Sequence, residues 1–443
     1  MFINQTSDSK ICIFKKDFLL LIFIVISEFF WYPRFNFLSA KIRIVDIFIL
    51  LSFIFFSKKV FNFIKEVLKN NTRYKIFFVI TFFILLSAFF SVLNSNYKLV
   101  SLKKFIQLFE NVWLLLFAMY VINKNNILIL LETLFLVSLF HIIFAIFYQY
   151  FPNEGDIYMV DLVRISGLSS VYFATYMLAT FIFLFQYYIF KRFNLLLLLF
   201  SSLFFVVILI TQIRTIWLIL VIVIFCYIFL NFKLKILSKY IFFLIISLLL
   251  FKSIMLCNNE KKGSSEAKEN KLEEILEKRD SKENKWEEIL KKRGFQSAKI
   301  RIELWKASYR IFKTKFLFGS GIGTYGKMYK NYLNLDSNFT LEEKMYILYC
   351  LSDEIDAHSQ FFTRLAELGI FGVLSYFILF IFLFVIVSKK VYKVYGKNNF
   401  IYKSLFCFVL ASFVADIISD SLGLKLFWIF SGIIVKLTSE IYN

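Results

Sequence analysis

The feature that most limits this chain is the length of its apolar runs. Stretch after stretch stays hydrophobic far enough to cross a bilayer, with Lys and Arg gathered in the short gaps between them. A helical crossing takes about 20 mostly apolar residues. Inside hydrocarbon every peptide group must find its partner within the segment or within a closed barrel, and a barrel needs short alternating strands. These runs are continuous, so the expected class is all-α, a polytopic membrane protein. Composition agrees: 59% of the 443 residues are hydrophobic and 61 are Phe, with a mean hydropathy of +0.71. A soluble domain is excluded.

The sequence predicts twelve spans: Phe18–Trp31, Ile42–Phe56, Ile76–Leu93, Phe105–Ile122, Ile127–Phe151, Leu168–Phe190, Leu195–Thr211, Thr215–Leu230, Tyr240–Cys257, Phe371–Ser388, Ser404–Ile418 and Leu422–Leu437. The first leads into Tyr32-Pro33-Arg34 without a small-residue cleavage site and is expected to stay as an uncleaved helix. Lys and Arg concentrate in Lys58 to Lys75, Lys124, Lys191-Arg192, Lys233 to Lys239 and Lys389 to Lys403. The positive-inside rule then places both termini in the cytoplasm. The resulting layout is nine spans over 1–257, an extracytoplasmic loop over 258–370 between spans nine and ten, and three spans over 371–443.

The formal charge of +21 sits mostly in these short gaps, where it orients helices and meets anionic headgroups, so nucleic acid is not an expected partner. Cys12, Cys226, Cys257, Cys350 and Cys407 are scattered singly, which argues against a disulfide framework or a zinc site. With only 2 histidines, no His-rich metal cluster can form, and no metal or cofactor is expected.

Within the long loop, Lys268 to Arg279 recurs as Lys282 to Arg293, a duplication at 14 residues. That offset is two heptads, so Leu272, Ile275, Leu276, Trp286, Ile289 and Leu290 stay on one stripe of a charged amphipathic helix (268–293). Its charges nearly cancel, which favours a solvated insertion over an arm that binds a partner or headgroups. The rest of the loop, 298–370, differs. Ile302, Trp305, Tyr309, Phe312 and Phe316 fall on one helical face, with Arg301 at the start of that helix. Gly319-Ser-Gly321-Ile-Gly323 follows; no strand precedes it, so it reads as a turn back to the membrane surface and not as a phosphate loop.

Asp353 to Gly372 runs directly into the tenth span. Asp356 reads as the N-cap, which puts His358 in the first helical turn beside Phe361, Phe362 and Leu365. His358 is then either a packed residue or a general base. His141, mid-span, reads as a helix-packing residue. Glu28, Asp46, Glu110, Glu132, Asp416 and Asp420 lie in or at the ends of spans, where a proton-coupled carrier would need carboxylates and where buried structural bonds are the plainer reading. Arg164 and Arg214 fall at the outer ends of helices, where snorkelling alone accounts for them. Taken with Arg301 and His358, they give the outer face three fixed cations and one candidate base. That set suits a diphosphate-bearing lipid, because guanidinium forks grip phosphate oxygens and a base can take a proton from an incoming hydroxyl.

Three motifs in order carry a resemblance: Arg214 before Thr-Ile-Trp217, the Arg301-x-x-x-Trp305 helix running into Gly319-x-Gly-x-Gly323, and Ala357-His358-Ser359 followed by Leu-Ala-Glu-Leu-Gly-Ile-Phe-Gly372. They resemble the O-antigen ligase and O-antigen polymerase superfamily, from about Arg164 onward, with the N-terminal third similar in layout only. The resemblance implies a metal-independent, inverting glycosyltransferase in the bacterial inner membrane, working on its outer face without cofactor. It implies an undecaprenyl-diphosphate-linked glycan as donor, and lipid A-core or a growing glycan as acceptor in a lipopolysaccharide or capsular pathway. It makes His358 the catalytic base and Arg214 and Arg301 the diphosphate ligands, with Arg164 a weaker match. Ser359 stands where the family often has Asn, and the duplication is foreign to it. Polysaccharide polymerase is the nearest alternative to ligase; a flippase or proton-coupled transporter is the alternative from another class.

Overall fold

A computed structural model describes residues 16–29, 34–37, 40–123, 126–150, 170–190, 194–210, 214–230, 239–252, 293–334, 356–394, 399–418 and 425–439. The helices are α1 (Lys16–Phe29), α2 (Ile44–Asn70), α3 (Thr72–Leu93), α4 (Lys98–Val121), α5 (Ile127–Tyr150), α6 (Ser170–Phe190), α7 (Leu195–Ile210) and α8 (Arg214–Leu230). They continue with α9 (239–252), α10 (Arg293–Thr314), the single turn α11 (Tyr325–Met328) with a 3-10 turn behind it (Tyr329–Tyr332), α12 (Gln360–Lys393), α13 (Asn399–Ile418) and α14 (Lys425–Ser439). The class is helical as expected, with one exception among the described residues. β1 (Arg34–Phe37) and β2 (Ala40–Arg43) form an antiparallel hairpin with Arg34 opposite Arg43 and Phe37 opposite Ala40.

Among the described residues, five helices are long and apolar enough to cross a membrane: Val45–Lys69 within α2, then α3, α4, α12 and α13. Shorter apolar segments are Ile127–Ile143, Ala174–Ile189, Leu195–Ile210 and Thr215–Leu230. Large side chains left open on these helices, such as Leu50, Phe55, Phe82, Phe225 and Phe229, form an apolar outer surface that only lipid would solvate. This is a helical membrane protein.

Among the described helices, two differ most from the expected bounds. The second span does not end at Phe56: α2 runs on to Asn70 through the lysines taken for a loop. Val60 is fully buried, and Phe63, Ile64 and Val67 pack against the core, so helical apolar spacing outweighs the charges. Asn71 then caps α3, its side chain accepting from the Arg73 N–H at 2.9 Å. The tenth span is longer than expected, since α12 begins at Gln360. At 1.5 Å per residue it is roughly 50 Å long, well beyond a hydrocarbon core of about 30 Å. Gly369, at φ 64° and ψ −163°, breaks it into a surface arm and the span proper.

In the core, α14 lies against α4, with Gly432 so close to Leu115 that a Cβ there would come within 2.2 Å of its carbonyl oxygen. Trp113 Nε1 donates to Ser52 Oγ at 2.8 Å, joining α4 to α2. The C-termini of α3 and α13 and the N-terminus of α12 meet on one face of the bundle, where α10 joins them. That face carries the site. The duplicated segment up to residue 292 lies outside the described residues.

Candidate functional site

α10 forms as its apolar spacing requires, yet its buried face is not the aromatic one. Ile300, Leu304, Ala307 and Ile311 are the inward residues, while Ile302, Tyr309 and Phe316 are open. The sequence contains both stripes, and the aromatic one catches the eye by size alone. The helix also starts at Arg293, so Arg301 lies two turns inside it and not at its start. Glu303, nearly buried, organises the far side. It accepts from Arg310 Nη1 at 2.6 Å and from the Asn334 N–H at 2.9 Å, and Arg310 also donates to the Tyr332 carbonyl at 2.7 Å. These bonds fold 325–334 back onto α10. Tyr325 is buried beneath them and donates to the Leu304 carbonyl at 2.8 Å, and burial holds its phenol well above the ordinary tyrosine range.

The histidine segment is then fastened from both sides. Trp305, one turn from Arg301 on the same face of α10, donates from Nε1 to the Ala357 carbonyl at 3.0 Å. Its ring stacks on Phe362 with centroids 5.0 Å apart and planes at 12°. The Ala357 N–H donates to Thr363 Oγ1 at 3.1 Å, and that hydroxyl donates to the Ser359 carbonyl at 2.9 Å. Ser359, not Asp356, is the N-cap of α12. Its Oγ accepts from the Phe362 N–H at 3.4 Å and donates to the Ile417 carbonyl at 2.5 Å. His358 therefore stands before the helix, not in its first turn. It adopts φ 53°, the one positive value for a non-glycine residue among those described. Such a backbone costs about 1–2 kcal/mol, and it persists because both flanking peptides are held.

Below the histidine, Arg364 makes a two-pronged pair with Asp416 of α13, at 2.7 and 2.8 Å, and lies 3.9 Å from the centroid of the Tyr376 ring. Next along α12, Glu367 receives the glycine-rich turn: the Gly323 N–H donates to Oε2 at 2.7 Å and the Tyr325 N–H to Oε1 at 2.9 Å. Backbone meets backbone here. The Ser320 N–H donates to the Ala366 carbonyl at 2.9 Å, the Gly321 N–H to the Glu367 carbonyl at 3.1 Å, and the Ile370 N–H to the Phe316 carbonyl at 2.9 Å. A Cβ on Gly319 would fall 2.2 Å from the Glu367 backbone, and one on Gly369 2.5 Å from the Leu317 carbonyl oxygen. Only residues without a side chain let the two chains cross. From α3, Ser91 and Asn94 donate to the Glu367 and Gly319 carbonyls at 2.6 and 3.0 Å. The turn is thus a backbone clasp on the α12 arm.

Of the four residues singled out in the sequence, Arg301 lies one turn before Trp305, whose Nε1 bonds the carbonyl of Ala357, the neighbour of His358. Arg214 is the first residue of α8, on a helix that packs against α13; its side chain is not described, and Arg164 lies outside the described residues. His141 is buried, with its Nδ1 2.9 Å from the Val137 carbonyl, as a helix-packing histidine is. Asp416 is paired with Arg364 and Asp46 with Lys425 at 2.5 Å. Glu28 and Asp420 fall outside the described side chains. Sequence reasoning gave no positioning role to Trp305, Thr363, Arg364 or Glu367, although Trp305 and Glu367 fall inside the motifs. Trp305 carried a signal, being four residues after Arg301; the other three look like ordinary helix residues.

The arrangement defines a helical membrane protein whose surface arm presents a strained histidine beside an arginine-bearing helix. Residues 195–377 match the family model of the O-antigen ligases, and over that segment the chain is similar to that family. The match takes in Arg214, Arg301, the clasp and His358 and ends within α12. No curated protein matches the chain. A glycosyltransferase-like enzyme is the activity class this family carries.

Proposed function

We propose that the protein is an O-antigen ligase-like glycosyltransferase: it moves a glycan from undecaprenyl diphosphate to a hydroxyl of lipid A-core, on the outer face of the inner membrane. His358 takes the proton of the acceptor hydroxyl. The oxygen attacks the anomeric carbon as the bond to the diphosphate breaks, with inversion, and undecaprenyl diphosphate departs carrying the bonding electrons. Arg301 and Arg214 hold its phosphate oxygens and meet the negative charge as it develops, Arg164 adding to them. No metal takes part in this scheme. Donors aimed at developing charge and a placed base each contribute on the order of 10²-fold or more. In this layout the twelve spans leave 258–370 outside, and both termini lie in the cytoplasm.

The observation that carries the reading is the histidine itself, kept in a costly backbone conformation by Trp305 on one side and Ser359 on the other. A packing histidine has no need of such support. Two described carboxylates of the bundle, Asp46 and Asp416, are committed to Lys425 and Arg364, which weakens the carrier alternative. Polymerase shares the chemistry and differs in acceptor. Gene deletion separates the two: a ligase leaves finished chains on the lipid carrier and a bare core, whereas a polymerase leaves single repeat units on the core and long chains nowhere. His358→Ala should reproduce the deletion while the protein stays inserted and abundant. Normal glycan in that variant would overturn the catalytic role.

A further inference from the structure

α10 leaves large apolar side chains open on one face. Ile302 and Tyr309 on it and Phe316 in the turn just past its end repeat every seven residues and are 48%, 48% and 51% exposed. Lys306, 61% exposed, and Lys313 flank this stripe, the Lys313 ammonium lying 4.8 Å from the Tyr309 centroid. From Ile300 to Leu317 the single carboxylate is Glu303, which is buried and lies 2.6 Å from Arg310 and 3.9 Å from the Lys306 ammonium. With one carboxylate against Arg301, Lys306, Arg310, Lys313 and Lys315, this stretch joins aromatic side chains to a net positive charge.

Its lower end says what it faces. The Phe316 and Leu317 carbonyls accept from the Ile370 and Phe371 N–H groups at 2.9 and 3.4 Å, where the apolar span of α12 starts. Phe318 stacks on Phe371 at 5.4 Å. Phe371, Leu374, Ile378 and Ile381, all 47–48% exposed, continue the apolar surface down α12. The stripe on α10 is thus the upper edge of the lipid-facing side of the bundle.

We infer that α10 is an interfacial helix, with Ile302, Tyr309 and Phe316 immersed at the headgroup level of the adjoining leaflet and Lys306 and Lys313 on the phosphates of anionic phospholipids. Helices of this kind bury their apolar face about 5–10 Å into the headgroup and acyl boundary, and lysines close to an anionic surface strengthen the attachment. Lys and Tyr suit the place, the one by snorkelling and the other by pairing an apolar ring with a polar tip. The same seating fixes the depth of Arg301 and Trp305. The inference rests on lipid contact and stands or falls without reference to glycan transfer.

The test uses the full chain in vesicles of phosphatidylethanolamine with a minor share of phosphatidylglycerol. A coumarinyl amino acid replaces Tyr309 or, separately, Phe316, with a third probe at Phe371 as the lipid-facing standard. All three positions are about half-exposed, so the fold should tolerate the probe, and two positions on the stripe guard against one misfolded variant. Probes at 309 and 316 should lose most of their emission to lipids carrying a nitroxide near the headgroup and little to aqueous iodide. Strong iodide quenching would overturn the inference. So would protection from both quenchers, which would mean that protein covers the stripe, either residues 253–292 or a second copy. Exchanging phosphatidylglycerol for phosphatidylcholine, or combining Lys306→Gln with Lys313→Gln, should each weaken the lipid quenching. Quenching unchanged in both would overturn the role given to anionic headgroups.

Discussion

Replacing Trp305 by Phe isolates one bond. The stack on Phe362 survives in a ring of similar shape, and the Nε1–H donated to the Ala357 carbonyl is lost. Ala357 is fully buried, so its carbonyl gains no water in exchange. Leaving a buried acceptor unpaired costs about 1–3 kcal/mol, and the left-handed backbone at His358 costs about 1–2 kcal/mol. The two are of one size. Without the bond, His358 has as much to gain by relaxing as the fold has to gain by holding it. If that energy is what keeps the imidazole in place, kcat should fall roughly 5- to 150-fold at one factor of ten per 1.4 kcal/mol. KM should change little, because no substrate contact is removed. The assay is glycan transfer by purified protein in lipid nanodiscs, with insertion and thermal midpoint measured alongside. Wild-type turnover in Trp305→Phe would refute the idea that this bond positions His358. A fall confined to KM would refute it too.

Other expectations follow from the same geometry. Gly369→Ala forces a Cβ within 2.5 Å of the Leu317 carbonyl oxygen at φ 64°, so the clasp should open and the thermal midpoint in detergent should drop; an unchanged midpoint would mean the crossing is not tight. Arg364→Met strands the buried Asp416 carboxylate at a cost of about 3–5 kcal/mol, and adding Asp416→Asn should restore most of the lost stability. Equal losses in the single and double variants would show that packing on Tyr376, and not the charge pair, is what matters. Arg214→Lys and Arg301→Lys keep the charge and lose the fork, so each should retain little transfer activity; full activity in both would reduce them to helix anchors.

The helical class was legible because it depends on the one-dimensional extent of hydrophobicity, which lipid reads directly. So was the glycine-rich turn, because three glycines in five residues mark it even in a linear string. What escaped were relations between distant segments. Both stripes of α10 satisfy helical periodicity, and nothing local says which one meets protein; that choice is made by Ile300, Leu304 and Ile311 packing with Tyr325, Met328, Tyr329 and Ala366. Asp356 and Ser359 are equally good caps by residue type. The Ile417 carbonyl on another helix selects Ser359, and His358 is thereby moved out of the helix into its strained position. Glu367 and Arg364 look in sequence like the polar side of a helix, yet one holds a loop 42 and 44 residues away and the other a carboxylate 52 residues away. Periodicity and residue type act over a few residues and are written into the chain. A hydrogen bond or ion pair between segments exists only once packing has brought its ends together, and that is the part the tertiary structure alone decided.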